Sequence, residues 1–202
     1  MSGARGAALL RQQVTAAIES AALAELAEVG YARMSMEAVA KRAGVGKAAI
    51  YRRWPSKQHL VIALVSAYAT RAAEIVSTGS LHADVLAFLT ATKHGLEQPL
   101  VTPIILDLAS EAGRNPQLAE ALRTTISEPR RARVAELLRL AIARGELEAD
   151  VDLDLALDFL AGPLAVRMLI TRAPVDRHYV ERLTRWTLAA LRGGGRNCAA
   201  AS

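Results

Sequence analysis

The sequence has a single cysteine, Cys198, and only 4% aromatic residues. One thiol closes no intrachain disulfide, and this one falls in the small-residue stretch after Gly193-Gly194-Gly195, where it reads as a bystander. Metal-ligand spacing is missing: His82 and Asp84 are two apart, His94 is distant, and no Cys or His cluster joins them. His59 and His178 read as helix-surface residues. No G-x-S-x-G, H-E-x-x-H, paired-cysteine or P-loop signature is present, and no triad suggests itself, so neither an enzyme nor a cofactor is expected. A diffuse carboxylate site would leave no such mark. Long apolar runs are absent too. Leu60–Thr70 is too short to cross a bilayer, and the stretch after Asp158 meets Arg167. The opening MSGARGAALLRQQ returns to charge too soon for a signal peptide, so the expected location is cytoplasmic. Alternating strand patterns and Asn-Gly hairpins are also lacking.

What is present is alanine, leucine and arginine, all strong helix formers, in a chain of 202 residues that is 52% hydrophobic. This composition predicts an all-α protein with a sizeable core. The net charge of +5 is unevenly placed. Residues 1–60 carry nine Lys or Arg against four Glu, an excess of five, whereas the remainder carries sixteen of each sign. A basic head beside a neutral body suits a polyanion, either DNA or an anionic lipid surface; a solvated charged face gives the same count.

Helix signals follow one another along the chain. Val14, Ile18, Ala21, Ala22, Leu26 and Val29 recur at three- and four-residue steps, one stripe of an amphipathic helix that Gly30 stops. Ser35 suits the N-cap of a second helix, Met36 to Ala43, and Gly44 the left-handed residue after it. Gly46 can cap a short third helix from Lys47 to about Trp54. Pro55 ends that one, and Ser56 caps a fourth running to about Val76. Beyond it, turn signals at 77–80, Pro99, Pro103, 113–116, Pro129, 145–152 and 173–176 divide longer helices. Three domains of the sequence are thereby suggested: 1–56, 57–192 and a disordered tail, 193–202.

Met36 to Arg53 fits two helices joined by a tight turn. Ala40 is the small residue where the helices cross, Gly44 the turn, and Val39, Val45 and Ile50 the apolar anchors. Ile50 and Trp54, one turn apart, face inward. Lys47, Ala48, Tyr51 and Arg52 are left on the opposite face, a short helix suited to a major groove. A phosphate loop would need more glycines and a preceding strand.

In order and spacing, AAIESAALAELAEVGYARMSMEAVAKRAGVGKAAIYRRWPSKQHLV resembles the DNA-binding domain of TetR-family (tetracycline-repressor-like) transcriptional regulators. The resemblance implies an N-terminal three-helix domain joined by a long fourth helix to a larger helical domain for dimerisation and ligand sensing. It implies a homodimer that reads a palindromic operator in double-stranded DNA. By position, Lys47, Ala48, Tyr51 and Arg52 fall where the family touches bases or nearby phosphates. Lys57 falls where the family clamps a phosphate, and Ser35 where a hydroxyl caps the second helix and touches the backbone. Gly46 and Ala49 stand where the family often has Ser and Thr, so two hydroxyl contacts are missing; Arg52 and Arg53 are expected to compensate.

The body says less. Arg144–Ile170 and the last helix resemble the family's closing helix pair, which packs against its counterpart as a four-helix bundle. Phe159, Pro163, Leu164, Val180, Leu183, Trp186 and Ala190 form apolar stripes that fit such an interface, or equally the subunit's own core. A pocket between the fourth helix and its successors would draw on Tyr68, Phe88, His94, Leu106 and Met168, each of which also reads as a core position. Those candidates favour a small hydrophobic effector. The leading expectation is a ligand-responsive repressor. The alternatives are a helical interaction or membrane-surface protein, and a regulator without a ligand.

Overall fold

The computed structural model describes the backbone of residues 2–72 and 77–194 and the side chains of 9–67 and 77–193, and every regular element among them is helical. The helices are α1 (Ser2–Arg33), α2 (Met36–Ala43), α3 (Lys47–Tyr51), α4 (Lys57–Ala72), α5 (Leu81–Leu96), α6 (Val101–Ala112), α7 (Pro116–Leu122), α8 (Glu128–Ala143), α9 (Leu153–Ala165) and α10 (Arg177–Gly194). π-Helical turns at Arg123–Ser127 and Val166–Ile170 follow α7 and α9.

Short polar side chains start several of these helices by accepting from backbone N–H groups that the first turn leaves free. Ser80 Oγ accepts from Ala83, Asn115 Oδ1 from Leu118, and Asp152 Oδ1 from both Asp154 and Leu155. Two prolines expected as breaks stand instead in first turns. Pro103 is the third residue of α6, where a missing N–H costs no hydrogen bond, and Pro129 the second of α8, directly after a π-helical turn. The interruption expected at Pro129 is the π-helical turn that ends just before α8. The helix expected from Lys47 to about Trp54 keeps regular geometry only to Tyr51.

Contacts divide the chain into two compact units. The first comprises 1–68 and 100–126, the second 69–99 and 127–202. In the first, Ile18, Ala22, Leu26, Val39, Ile50, Leu60 and Val61 form a core to which Ile104, Leu108 and Leu118 from α6 and α7 contribute. In the second, Leu81, Leu89, Leu138, Leu160 and Leu164 are fully buried, with Val180 and Leu188 of α10 packed among them.

Among the described residues, the second unit holds one buried carboxylate, Asp84, which is 1% exposed. It accepts from Thr78 N (2.6 Å), Thr78 Oγ1 (2.7 Å), Ser77 Oγ (3.3 Å) and Arg144 Nη2 (3.4 Å). Burial pushes its pKa upward, but the Thr78 and Ser77 hydrogen bonds and the Arg144 charge outweigh that and hold the carboxyl below its ordinary value. This fastens the connection before α5 to the end of α8. Asp84→Ala should therefore cost about 1–3 kcal/mol in urea unfolding at neutral pH, because Thr78 N and the Thr78 and Ser77 hydroxyls lose their acceptor, while Arg144 keeps Glu146. Since the folded carboxyl titrates below the unfolded one, its stabilisation is complete above the ordinary carboxylate range. It is lost as pH falls from that range through the lower folded value, so the difference between variant and wild type should shrink below about pH 4.

Candidate nucleic-acid interface

The short α3 is positioned by what surrounds it. Ser35 caps α2, its Oγ accepting from Ala38 N at 3.1 Å. Gly44 takes the left-handed conformation (φ 66°, ψ 30°), and the turn closes with Val45 N donating to Ala40 O at 3.0 Å. Ala40 is buried where α2 meets its neighbours, as the crossing requires. On α3, Ile50 is fully buried and Trp54 packs half-buried against the same core. Lys47, Ala48, Tyr51 and Arg52 are all exposed. The four residues expected on an open face share one.

The basic side chains are used differently from one another. Arg53 was expected to help replace missing phosphate contacts, and this needs correction. It donates to Thr15 Oγ1 (3.0 Å), Ala49 O (2.9 Å) and Arg11 O (3.4 Å), tying α3 to α1. Arg42 is held by Glu28 and Glu25 of α1, and Lys47 by Glu37 of α2 at 3.0 Å. Lys57 donates to Tyr31 O (2.7 Å) and Ala32 O (3.2 Å), with its ammonium 4.5 Å from the Tyr31 ring centre. An ammonium has three donors, so one direction remains for a phosphate. Lys41 and Arg52 are exposed and have no ion-pair partner among the described residues.

The end of α1 is a junction that the sequence reading missed. α1 bends at Gly30 (φ 77°, ψ 167°) and continues for one more turn. Tyr31 N donates to Asp107 Oδ2 of α6 at 2.6 Å, while Lys57 at the start of α4 takes the Tyr31 and Ala32 carbonyls. A Cβ on Gly30 would lie 2.9 Å from Asp107 Oδ1. The Tyr31 hydroxyl is pushed above its ordinary pKa by burial and by the nearby Glu111 charge. No local pattern around Asp107 marks this contact, which joins residues 76 apart in sequence.

The residues expected in a pocket do not gather around one cavity. Phe88 and Met168 belong to the core of the second unit, His94 is exposed, and Leu106 is half-buried in the first unit. The Tyr68 side chain lies outside the described residues. The void beside Phe88 is about 10 Å³, room for about one water. Of the expected interface, Phe159 (47% exposed), Trp186 (75%) and Ala190 are outward, and Pro163 and Leu183 are half-buried. Leu164 and Val180 are corrections: both are buried within the subunit's own core and present no surface. Arg130 is a further residue that the sequence did not single out. It is half-buried, stacks 5.5 Å from the Phe88 ring centre and donates to Thr92 Oγ1 at 2.9 Å. Burial holds its pKa below the ordinary arginine value.

Two substitutions test the junction. Lys57→Ala should lower thermal stability by about 1–2 kcal/mol, because two carbonyls lose a charged donor. Gly30→Ala should cost about 1–3 kcal/mol, since alanine strains at this φ/ψ and its methyl group meets Asp107. A melting temperature unchanged in both would show that the junction contributes nothing to stability.

Residues 18–64 match the family of bacterial regulatory proteins of the tetR type, and residues 75–186 match the tetracyclin repressor-like C-terminal domain. The chain is 33% identical over 167 residues to the HTH-type transcriptional regulator YdeS of Bacillus subtilis, covering 83% of this chain and 84% of that protein. It is 32% identical over 170 residues to the DNA-binding transcriptional repressor TetR of Mycobacteroides abscessus, covering 84% and 88%. The crystal structure of the TetR family transcription regulator SCO0332 superposes with a TM-score of 0.70 at 33% identity, covering 88% of this chain and 97% of that one. With the helix-turn-helix, its outward α3 and both matched domains in place, the chain belongs to the TetR family of DNA-binding transcriptional regulators.

Proposed function

We propose that this regulator is a ligand-responsive repressor that binds a palindromic operator as a homodimer. The observation that carries the DNA-binding part is the exposed set Lys47, Ala48, Tyr51 and Arg52 on a helix fixed from beneath by Ile50, Trp54 and Arg53. Ser35 and Lys57 flank that face, and the remaining N–H of Lys57 serves a phosphate. Arg52, unpaired, is the residue for a base edge, where a bidentate contact to guanine discriminates by about 1–3 kcal/mol. The dimer uses α9 and α10 of the second unit, where Phe159, Trp186 and Ala190, with Leu155, Val166 and Ile170 beside them in sequence, are left exposed. Half-sites one helical turn apart, roughly 34–36 Å, then meet the two reader helices.

An effector that prefers a different spacing of the readers loosens DNA by linkage, typically by about 1–3 kcal/mol.

Selection of fragments bound from the source genome, followed by mobility shift, tests the reading. The expected result is a set of related palindromes bound by wild type, with Arg52→Gln relaxed at one base pair of each half-site. Trp186→Glu should shift sedimentation from dimer to monomer and weaken operator binding at least tenfold. Recovery of unrelated fragments, or binding to anionic vesicles without any DNA preference, would overturn the proposal.

A further inference from the structure

Only one acid side chain among the described residues is ion-paired to the proposed reader helix. Glu37, in the first turn of α2, has Oε1 3.0 Å from Lys47 Nζ, and the two side chains are 50% and 64% exposed. The neighbouring acids Glu25 and Glu28 are turned to Arg42 instead. The Lys47 hydrogen bond keeps the Glu37 carboxyl below its ordinary pKa, so it is ionised at any pH at which the protein would meet DNA.

An exposed pair of this kind contributes little to stability, so it opens readily. Its effect on a polyanion is larger than its effect on the fold. Wherever Lys47 meets DNA, a negative charge lies one ion-pair distance away, well within the Debye length of about 8–10 Å. A phosphate that takes Lys47 must either displace Glu37 or share the ammonium with it, and in both cases it sits beside that carboxylate. On a duplex of arbitrary sequence this opposes binding, and Lys47, already neutralised, contributes little to counterion release. At a site where Lys47 finds a base acceptor in addition, the exchange is repaid.

We propose that Glu37 is a specificity-determining residue, which suppresses non-specific DNA binding by holding Lys47 until a matching site takes it. This rests on the assignment of α3 as the DNA reader. The suppression is electrostatic and falls mainly on duplexes where Lys47 reaches only a phosphate beside Glu37, so it raises the ratio of specific to non-specific affinity without a base contact of its own.

The test is Glu37→Gln, measured by fluorescence anisotropy on a random-sequence duplex between about 50 and 200 mM salt. The variant should bind this duplex several-fold more tightly, with a log–log salt slope steeper by about 0.9. Its affinity for a genome-selected operator should rise less, so its specificity ratio falls. Both residues are exposed, so unchanged melting is expected and separates the effect from folding. In a Lys47→Gln background, Glu37→Gln should have little effect. Unchanged or weaker binding of the random duplex by Glu37→Gln would overturn the inference, as would an equal gain with and without Lys47. If folded wild-type protein binds no duplex at all, the reader assignment itself fails, an outcome distinct from the other two.

Discussion

The burial of Ile50 is the constraint on which the DNA-facing half of the molecule depends. A helix of five residues has no stability of its own, because nucleation is unfavourable and so few hydrogen bonds follow it. α3 exists because Ile50 is fully enclosed, Trp54 leans on the same core, and Arg53 reaches back to α1. These three anchors on one side leave Lys47, Ala48, Tyr51 and Arg52 on the other. The backbone that carries the proposed reader face is held by these anchors without DNA, so its own conformational entropy is not lost again on binding.

Charge is distributed with similar economy. The excess of basic residues in the first sixty looks like a uniform polyanion patch when counted. In the folded chain, Arg53 and Lys57 spend their protons on carbonyls, and Arg42 and Lys47 are paired with glutamates. The positive surface is therefore graded: Arg52 and Lys41 have no ion-pair partner among the described residues, Lys47 is exchangeable, and Arg53 is committed. Such grading lets a basic domain discriminate among duplexes rather than adhere to all of them.

The junction at the end of α1 joins three helices through one short stretch of backbone. Asp107 takes the Tyr31 N–H and Lys57 takes the carbonyls that follow, so α6 and the start of α4 grip the same turn. α6 also lends Ile104 and Leu108 to the core that holds Ile50.

Local chemistry in the sequence determined much of this protein. Ser35, Gly44 and Asp152 mark helix ends because a cap or a left-handed turn needs only neighbouring residues. The spacing of Ala40, Gly44 and Ile50 specified the helix-turn-helix and its outward face for the same reason. What periodicity could not decide was what covers each apolar stripe or partners each charge. Leu164 and Val180 share helices with exposed Phe159 and Trp186, yet only packing shows that the first two belong inside. Arg53 and Arg52 are adjacent in sequence and opposite in use, because only one of them comes within reach of Thr15. Asp107 met Tyr31, and α6 and α7 joined the reader's core, through contacts between distant parts of the chain. Local rules fix helices and their faces; three-dimensional proximity alone fixes which face meets which, and that was the part left to the tertiary structure.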